Sequence, residues 1–593
     1  MYFSDENMLR STKLLKGVRI GCSSGFWGDT NTSATQLIDH GNIDYLVGDY
    51  LSEITMSLLA KMQLKKADSG YTPDFIKHIQ PRLKQIKENN IKIVSNAGGM
   101  NPVSCAKVLQ KLAPEIKIAA VLGDNLKENN DQYSKCVSAN AYTGAKGIVD
   151  ALKSDAQIII TGRCVDSALV LGPLIYEHGW GFDEYDKLSS GSLAGHIIEC
   201  GAQSTGGIFT DWREVCDEYH KIGFPIVDVE ADGSFVVQKP ADTATTTFGG
   251  KVSIGTVSEQ IVYEIGNPQE YFLPDVVCDW SNVKLSETSE INRIFVNNAS
   301  GMAPPKELKA SVTNQDGFSL KSVSVIMGGD AVQKSVVTGK AIFKRVEGLI
   351  EKAGMGPFRK KIVYPIGGDF ARNGDFTYGN VSECALWLSA EHEDRKALEI
   401  LATEVAPAGC GMAPGFTSLI GGRARPTPIF KLDSKHLVDR NLLKQRVVFS
   451  EDNFEKENKV DDSKTEFYDG KSKKVELKTY PDSPKGTFKL EDIAWLRSGD
   501  KGNHCNIGIV AREEKYFELL DSKMTPEFMT EKFGHFFEED REKKVEKFYL
   551  PGINGFNFML YDSLGGGGVA SIRPDPQGKA YGQLLAEVEI VNE

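Results

Sequence analysis

The sequence predicts an α/β chain in three globular units: an N-terminal parallel α/β lobe, an α+β second lobe, and a separate small α+β domain at the C-terminus. Three observations predict it. From Val18 to about Ile208, short runs rich in β-branched residues alternate with amphipathic helical patterns. After about Trp212 the alternation gives way to strand-like runs punctuated by Gly, Pro and Asp. Glu451–Thr487 then interleaves acidic and basic residues with few large apolar ones, which reads as a flexible linker. The expected boundaries are therefore 1–210, 211–450, 451–487 and 488–593.

In the first lobe, Val18–Gly21 reads as a strand, Ser33–Gly41 as a helix and Tyr45–Gly48 as a strand. Within Leu51–Lys65, Ile54, Leu58, Leu59 and Met62 share one helical face. Thr72 and Pro73 open the next helix as N-cap and first-turn residue, and Pro81 is expected to break it. Strands at Ile91–Ser95, Ile116–Leu122 and Gln157–Thr161 alternate with helices near Val103–Leu112 and Ala141–Leu152. Nearly continuous apolar strands of this kind imply a parallel sheet covered on both faces, as an open sheet or a barrel. In the second lobe, Phe224–Val237, Lys251–Ile265, Asp275–Leu285 and Ile291–Asn297 read as strands, with helices at Ala331–Ala353 and Cys384–Leu401. In the last unit a strand is expected at Asn506–Ala511, and Phe537–Lys547 reads as a solvated helix face.

Bulk properties narrow the function. With 69 basic and 81 acidic residues the formal charge is −12, which argues against a general nucleic-acid binder. No apolar stretch reaches the ~18 residues of a membrane span, so no membrane partner is expected. Ten cysteines without a C-x-x-C pair call for no zinc motif and no disulfide framework, and no cofactor or metal is expected. The first residues lack a secretory signal, so the expected location is the cytoplasm; basic Met8–Arg19 gives a mitochondrial presequence as the weaker reading.

The 58 glycines cluster where chemistry is expected. Each first-lobe strand runs into a small or polar cluster: Gly21–Gly25, Gly48–Tyr50, Asn96–Gly99, Gly123–Asn125, and Thr161–Arg163 with Asp166. In parallel α/β sheets ligands bind outside those carboxyl ends. Five such clusters predict one shared site with Ser24, Asp49, Asn96, Gly98, Gly99, Asp124, Arg163 and Asp166 as contributors. Arg163 suits a carboxylate. Further along, His196, Glu199 and Cys200 fall within one helical turn, and His196 or Glu199 is a candidate acid/base group. In the last unit, Arg497 and Lys501 in the R-S-G-D-K-G-N segment, and Arg573 after the glycine run 565–568, are candidate anion contacts. Gly21–Gly25 also fits the G-x-S-x-G form of a hydrolase elbow, with Ser23 or Ser24 as nucleophile, although only one strand precedes it.

These clusters together resemble the AtuA-type acyclic terpene utilisation family. The resemblance rests on Ser24–Asp29, Asp44–Leu51, Asn96–Gly99, Thr161–Arg163 with Asp166, Gly195–Gln203, the R-S-G-D-K-G-N segment and the four-glycine run. It covers about Val18–Leu432 and Phe488–Val591 and implies a ferredoxin-like fold for the last domain. It also implies breakdown of acyclic terpenes or branched acids as acyl-CoA thioesters, by a lyase or hydratase. The catalytic residues rest on the position of the clusters and not on the resemblance: Asp49, Asp124 or Glu199 is expected to handle a proton, aided by His196, and Arg163 to hold a carboxylate of a small anionic substrate such as a CoA thioester. A non-catalytic acyl-CoA-binding scaffold and the serine hydrolase are the alternatives. A homo-oligomer is expected.

Overall fold

The computed structural model describes residues 17–593, apart from 129, 380, 434, 435, 465, 473, 474, 478, 481, 482 and 539–541, and without the side chains of 373 and 569. Residues 8–16 of the basic N-terminal stretch thus lie outside the described residues.

An open sheet of 11 strands organises the chain. Its centre is five parallel strands in the order Val18–Cys22, Tyr45–Gly48, Lys92–Ser95, Ile158–Thr161, Ile118–Leu122. Helices cover both faces, and side chains alternate between two cores: Ile158 and Ile160 enter one, Ile159 the other. Antiparallel strands extend both edges, with Ile226–Val229, Phe235–Gln238, Arg293–Asn297 and Lys284–Glu287 on one side and Arg446–Phe449 and Asn458–Lys459 on the other. The sheet therefore runs across residue 210 and takes strands from as far as residue 459, so a lobe boundary at 210 falls inside it.

The second sheet is built on one strand of 21 residues, Glu307–Met327. Lys360–Ile366, Glu383–His392 and Phe416–Ile420 pair along its sheet, packed by helices Ala331–Lys352 and Arg395–Glu404. Its N-terminal half pairs with Ser138–Ala141 of the first lobe, which brings Lys309 beside Tyr142. The C-terminal domain has its own apolar core and a four-stranded antiparallel sheet in the order Ala494–Lys501, His504–Ala511, Gly555–Leu560, Val545–Leu550.

Four local expectations are corrected. Lys251–Ile265 is not a strand: Ser253 and Thr256 form a reciprocal capping box, and a helix spans Ile254–Ile261. Cys384–Leu401 is not one helix. Cys384, Leu386, Leu388 and Ala390 are buried with period two, and that half is the strand Glu383–His392. In 537–547 the described residues form no helix, and Val545 opens a strand. The charged segment 451–487 is anchored where it is described: Lys464 is buried between Asp275 and Asp462, and Tyr468 donates to Glu270. Composition missed this because the few buried groups are charged and paired.

Candidate functional site

The site begins where the parallel strands end. After Tyr45–Gly48 the chain turns at Asp49, whose amide donates to Ser24 O at 3.0 Å. Asn96, at the end of the next strand, donates Nδ2 to Asp49 Oδ1 at 2.6 Å and accepts from the Tyr50 amide at 2.8 Å. After Ile158–Thr161, a Cβ on Gly162 would lie 2.3 Å from Asp124 Oδ1, so only glycine lets the backbone approach this carboxyl. Asp124 accepts from the Arg163 amide at 2.9 Å and from Asn140 Nδ2 at 2.7 Å. It is a brace under Arg163.

The Arg163 guanidinium is 3% exposed. It donates to Asp166 Oδ1 at 2.6 Å and Leu51 O at 3.1 Å and lies over the Tyr142 ring at 4.2 Å. Its buried Nε has no partner among the described residues. Lys309 approaches the same ring at 4.7 Å, and Glu53 accepts from Tyr142 Oη at 2.6 Å.

These groups face a cavity of about 1570 Å³. Asp49, Glu53, Tyr142, Arg163 and Asp166 form its floor, and Glu199 and Glu264 stand on one wall. The C-terminal domain closes the roof with Arg497, Asp500, Lys501, Gln577 and Lys579. Phe26, Trp27, Ile54, Leu58, Phe209 and Phe272 give the cavity an apolar lining. The roof is held by a buried ion pair: Arg497 NH2 meets Glu259 Oε2 at 2.7 Å, with side chains 3% and 0% exposed.

The cavity splits its titrating groups. Burial, followed by the charge of Asp166, pushes the Asp49 carboxyl well above the usual carboxylate range. Burial and the same neighbour, with Glu264, do so for Glu199. Asp500 is raised likewise by burial, then by Glu264 and Glu53. For Glu53 burial is opposed and outweighed by Lys309, Arg163 and the Tyr142 hydroxyl, so its carboxyl falls to about 2. Burial works against the Arg163 charge, but Asp166, Tyr142 and Glu53 more than compensate, and its pKa rises. Carboxyls raised and lowered from their ordinary range thus stand together around fixed cations, an arrangement suited to binding an anion and moving a proton.

A family model described as acyclic terpene utilisation family protein AtuA matches residues 18–449, and one described as the AtuA ferredoxin-like domain matches residues 488–591. The chain belongs to the AtuA acyclic terpene utilisation family. The mixed α/β architecture with a ferredoxin-like C-terminal domain follows. No curated protein and no solved structure matches it.

In this AtuA family member six of the expected site residues line the cavity: Asp49, Arg163, Asp166, Glu199, Arg497 and Lys501. Others stand behind it. Asn96 and Asp124 brace Asp49 and Arg163 from below, and Gly98 packs against Thr161 O, where a Cβ would come within 2.5 Å. Gly99 supplies a left-handed turn at φ 51°. His196 is buried beneath Glu199, with Nδ1 at 2.9 Å from its Oε1; burial, with the Lys501 charge, lowers the imidazole to about 4. His196 thus meets the cavity through Glu199 and does not line it itself. Arg573 is apart from the cavity, donating to Phe536 O and Ser563 O inside its own domain.

The serine-hydrolase reading is corrected. Ser23 Oγ donates to Val47 O at 3.1 Å and Ser24 Oγ to Phe26 O at 2.9 Å, both residues are buried, and among the described residues no histidine is hydrogen-bonded to either hydroxyl. Among the described residues no group of three or more His, Cys, Asp and Glu side chains has metal-holding geometry, and no helix is long and apolar enough to cross a membrane.

Sequence reasoning passed over Glu53, Tyr142, Glu264, Lys309 and Lys579. Only Glu53 carried a local signal, since it follows the N-cap Ser52 directly after a strand-end cluster. Lys309 and Lys579 arrive through long-range pairing and domain packing, which leave no local pattern.

Proposed function

We propose that the protein is an enzyme of acyclic-terpene or branched-acid breakdown that hydrates or cleaves a carboxylate-bearing acyl thioester, or a related acid, in this cavity. One observation carries the reading: Arg163, fixed and charged with a buried Nε that has no partner among the described residues, sits beside carboxyls that burial raises well above their usual range, under an apolar lining. A guanidinium in that state holds a substrate carboxylate. The apolar walls accept a branched hydrocarbon chain, and the volume exceeds what a simple short acid fills. Asp49 and Glu199, whose carboxyls burial raises well above the usual range, serve as proton donors to the reacting carbon or leaving group. Family membership supplies the terpene context.

The test is turnover of branched glutaconyl-type and 3-hydroxyglutaryl-type CoA thioesters by the purified chain, read by mass spectrometry. Turnover is expected, and Arg163→Ala is expected to lower kcat/KM by about 10²-fold or more through loss of the carboxylate contact. Tight thioester binding with no product, unaltered by Arg163→Ala, would retire the enzyme reading in favour of a carrier.

A further inference from the structure

Helix Ile254–Ile261 ends at the cavity wall in the turn Val262–Gly266, and Glu264 occupies the left-handed region at φ 54°. A glutamate gains nothing from that conformation; its backbone is held there by its surroundings. The holding groups come from the C-terminal domain. Asn506 Oδ1 accepts from the Glu264 amide at 2.8 Å, and Asn506 Nδ2 donates to Val262 O at 2.7 Å. Asn557 Nδ2 donates to Ile265 O and Gly266 O, both at 2.7 Å. The two amides are joined to each other at 2.7 Å, and both are 0% exposed. Carbonyls of the turn that follows the helix are thus satisfied by another domain's side chains. The approach is tight enough that a Cβ on Gly508 would lie 2.1 Å from Val262 Cγ2. Together these contacts fix the turn that carries Glu264, which lines the cavity.

We propose that Glu264 is a proton-transferring carboxyl of the site, acting opposite Asp49 or Glu199, and that Asn506 and Asn557 are positioning residues through which the C-terminal domain holds it there. The inference rests on the reading of the cavity as an active site and assigns the small domain a part in the reaction. Glu264 faces cations from the C-terminal domain, with Lys579 Nζ at 3.3 Å and Lys501 nearby. From the first lobe it faces Glu53, Asp166, His196, Glu199 and Cys200, and from the roof Asp500. Burial, partly countered by Lys501, raises its carboxyl to about 7, and burial with the Asp166 charge raises Asp49 well above the usual carboxylate range. A group near neutrality both takes and returns a proton. In hydration, ionised Glu264 takes the proton of the water whose oxygen bonds the β-carbon, while a protonated cavity carboxyl, Asp49 or Glu199, delivers one to the α-carbon. The two carboxyls then re-equilibrate through solvent, and one water is consumed.

The experiment combines kinetics with a titration that needs no substrate. Carboxyl-¹³C-glutamate NMR of the full chain, with Glu264→Gln identifying the signal, is expected to show Glu264 titrating near neutrality. Asn557→Asp and Asn506→Ala are expected to displace that titration by a unit or more. In turnover, Glu264→Gln should lower kcat about 10²–10⁴-fold with little change in KM and remove the near-neutral limb of the pH profile. The clamp variants should move the limb rather than abolish it. A wild-type Glu264 titrating in the ordinary carboxylate range, or one indifferent to both clamp variants, overturns the proposal whether or not a thioester is turned over. Active wild type with Glu264→Gln within twofold of its kcat overturns it while leaving the thioester reading intact.

Discussion

At the cavity floor, Asp49, Arg163 and Asp166 follow directly on parallel strands, whereas at the roof Arg497, Lys501 and Lys579 reach in from the far end of the chain. The floor is made by backbone: strand ends, a glycine that admits Asp124, and amides that fix Asn96 and Asp124. The roof is made by side chains meeting across a domain interface, above all Arg497 on Glu259 and the paired Asn506 and Asn557 on the Glu264 turn. Their electrostatics differ too. Floor cations are fixed by partners, so that Arg163 and Lys309 are driven further toward the charged form. On the roof, burial lowers Lys579 to about 8. The floor holds the cations in place, and the groups brought closest to neutrality, Glu264 and Lys579, stand on the wall and roof.

The comparison breaks most severely with Arg497→Met. It leaves Glu259 wholly buried without its guanidinium, which costs about 3–5 kcal/mol. Chemical denaturation near pH 8 reads this loss. The deficit shrinks toward pH 5, because burial already raises Glu259 and the unpaired carboxyl takes up a proton. A deficit under about 1 kcal/mol near pH 8 would mean the roof is not locked by this pair.

On the floor, Asp49→Asn keeps an acceptor for Asn96 but removes the acidic proton. A fall in kcat of about 10²-fold is expected, with no loss of stability at neutral pH. Asp49 has a folded-state pKa above its unfolded value, so its protonation supports the fold fully at acid pH and that support is lost as pH rises. The variant's stability relative to the parent should therefore grow with pH, and a constant difference would contradict a raised Asp49 carboxyl.

Glu53→Gln tests the opposite sign. Glu53 is lowered to about 2, so its ionised form stabilises the fold above the ordinary glutamate value and that support fades as pH falls toward 2. The variant should lose on the order of 2 kcal/mol near neutrality and be indistinguishable from the parent at strongly acid pH. The mildest change is Ser253→Ala, which removes half of the capping box behind the Glu264 turn. About 1 kcal/mol in unfolding free energy is expected, with the floor's substrate affinity unchanged.

How much of this was legible follows the same division. The five parallel strands read from the sequence because Ile158–Ile160 and its counterparts are apolar on both faces, a pattern that survives any tertiary context. Their polar ends read for the same reason, and they led to Asp49, Arg163 and Asp166. Asp124 and Asn96 carry the same local signature as true lining residues. Only their hydrogen bonds, directed at Arg163 and Asp49, place them one layer below. Helix Ile254–Ile261 was hidden by β-branched residues at Val257, Ile261 and Val262, whose strand preference the capping box and burial override. Lys464, which looks like part of a solvated charge run, becomes an anchor only because Asp275 and Asp462 wait for it.

By itself the sequence determined the α/β class, the strand-end floor and, through its long strand-end and glycine motifs, the family. Short-range order and apolar periodicity are local quantities, and each is written in a few consecutive residues. The open 11-stranded sheet, the packing of the charged segment, the roof over the cavity and the Glu264 turn were decided by the tertiary structure. Those depend on which distant groups share a buried volume, and there the cost of an unpaired charge or carbonyl, rather than any local preference, selects the partner.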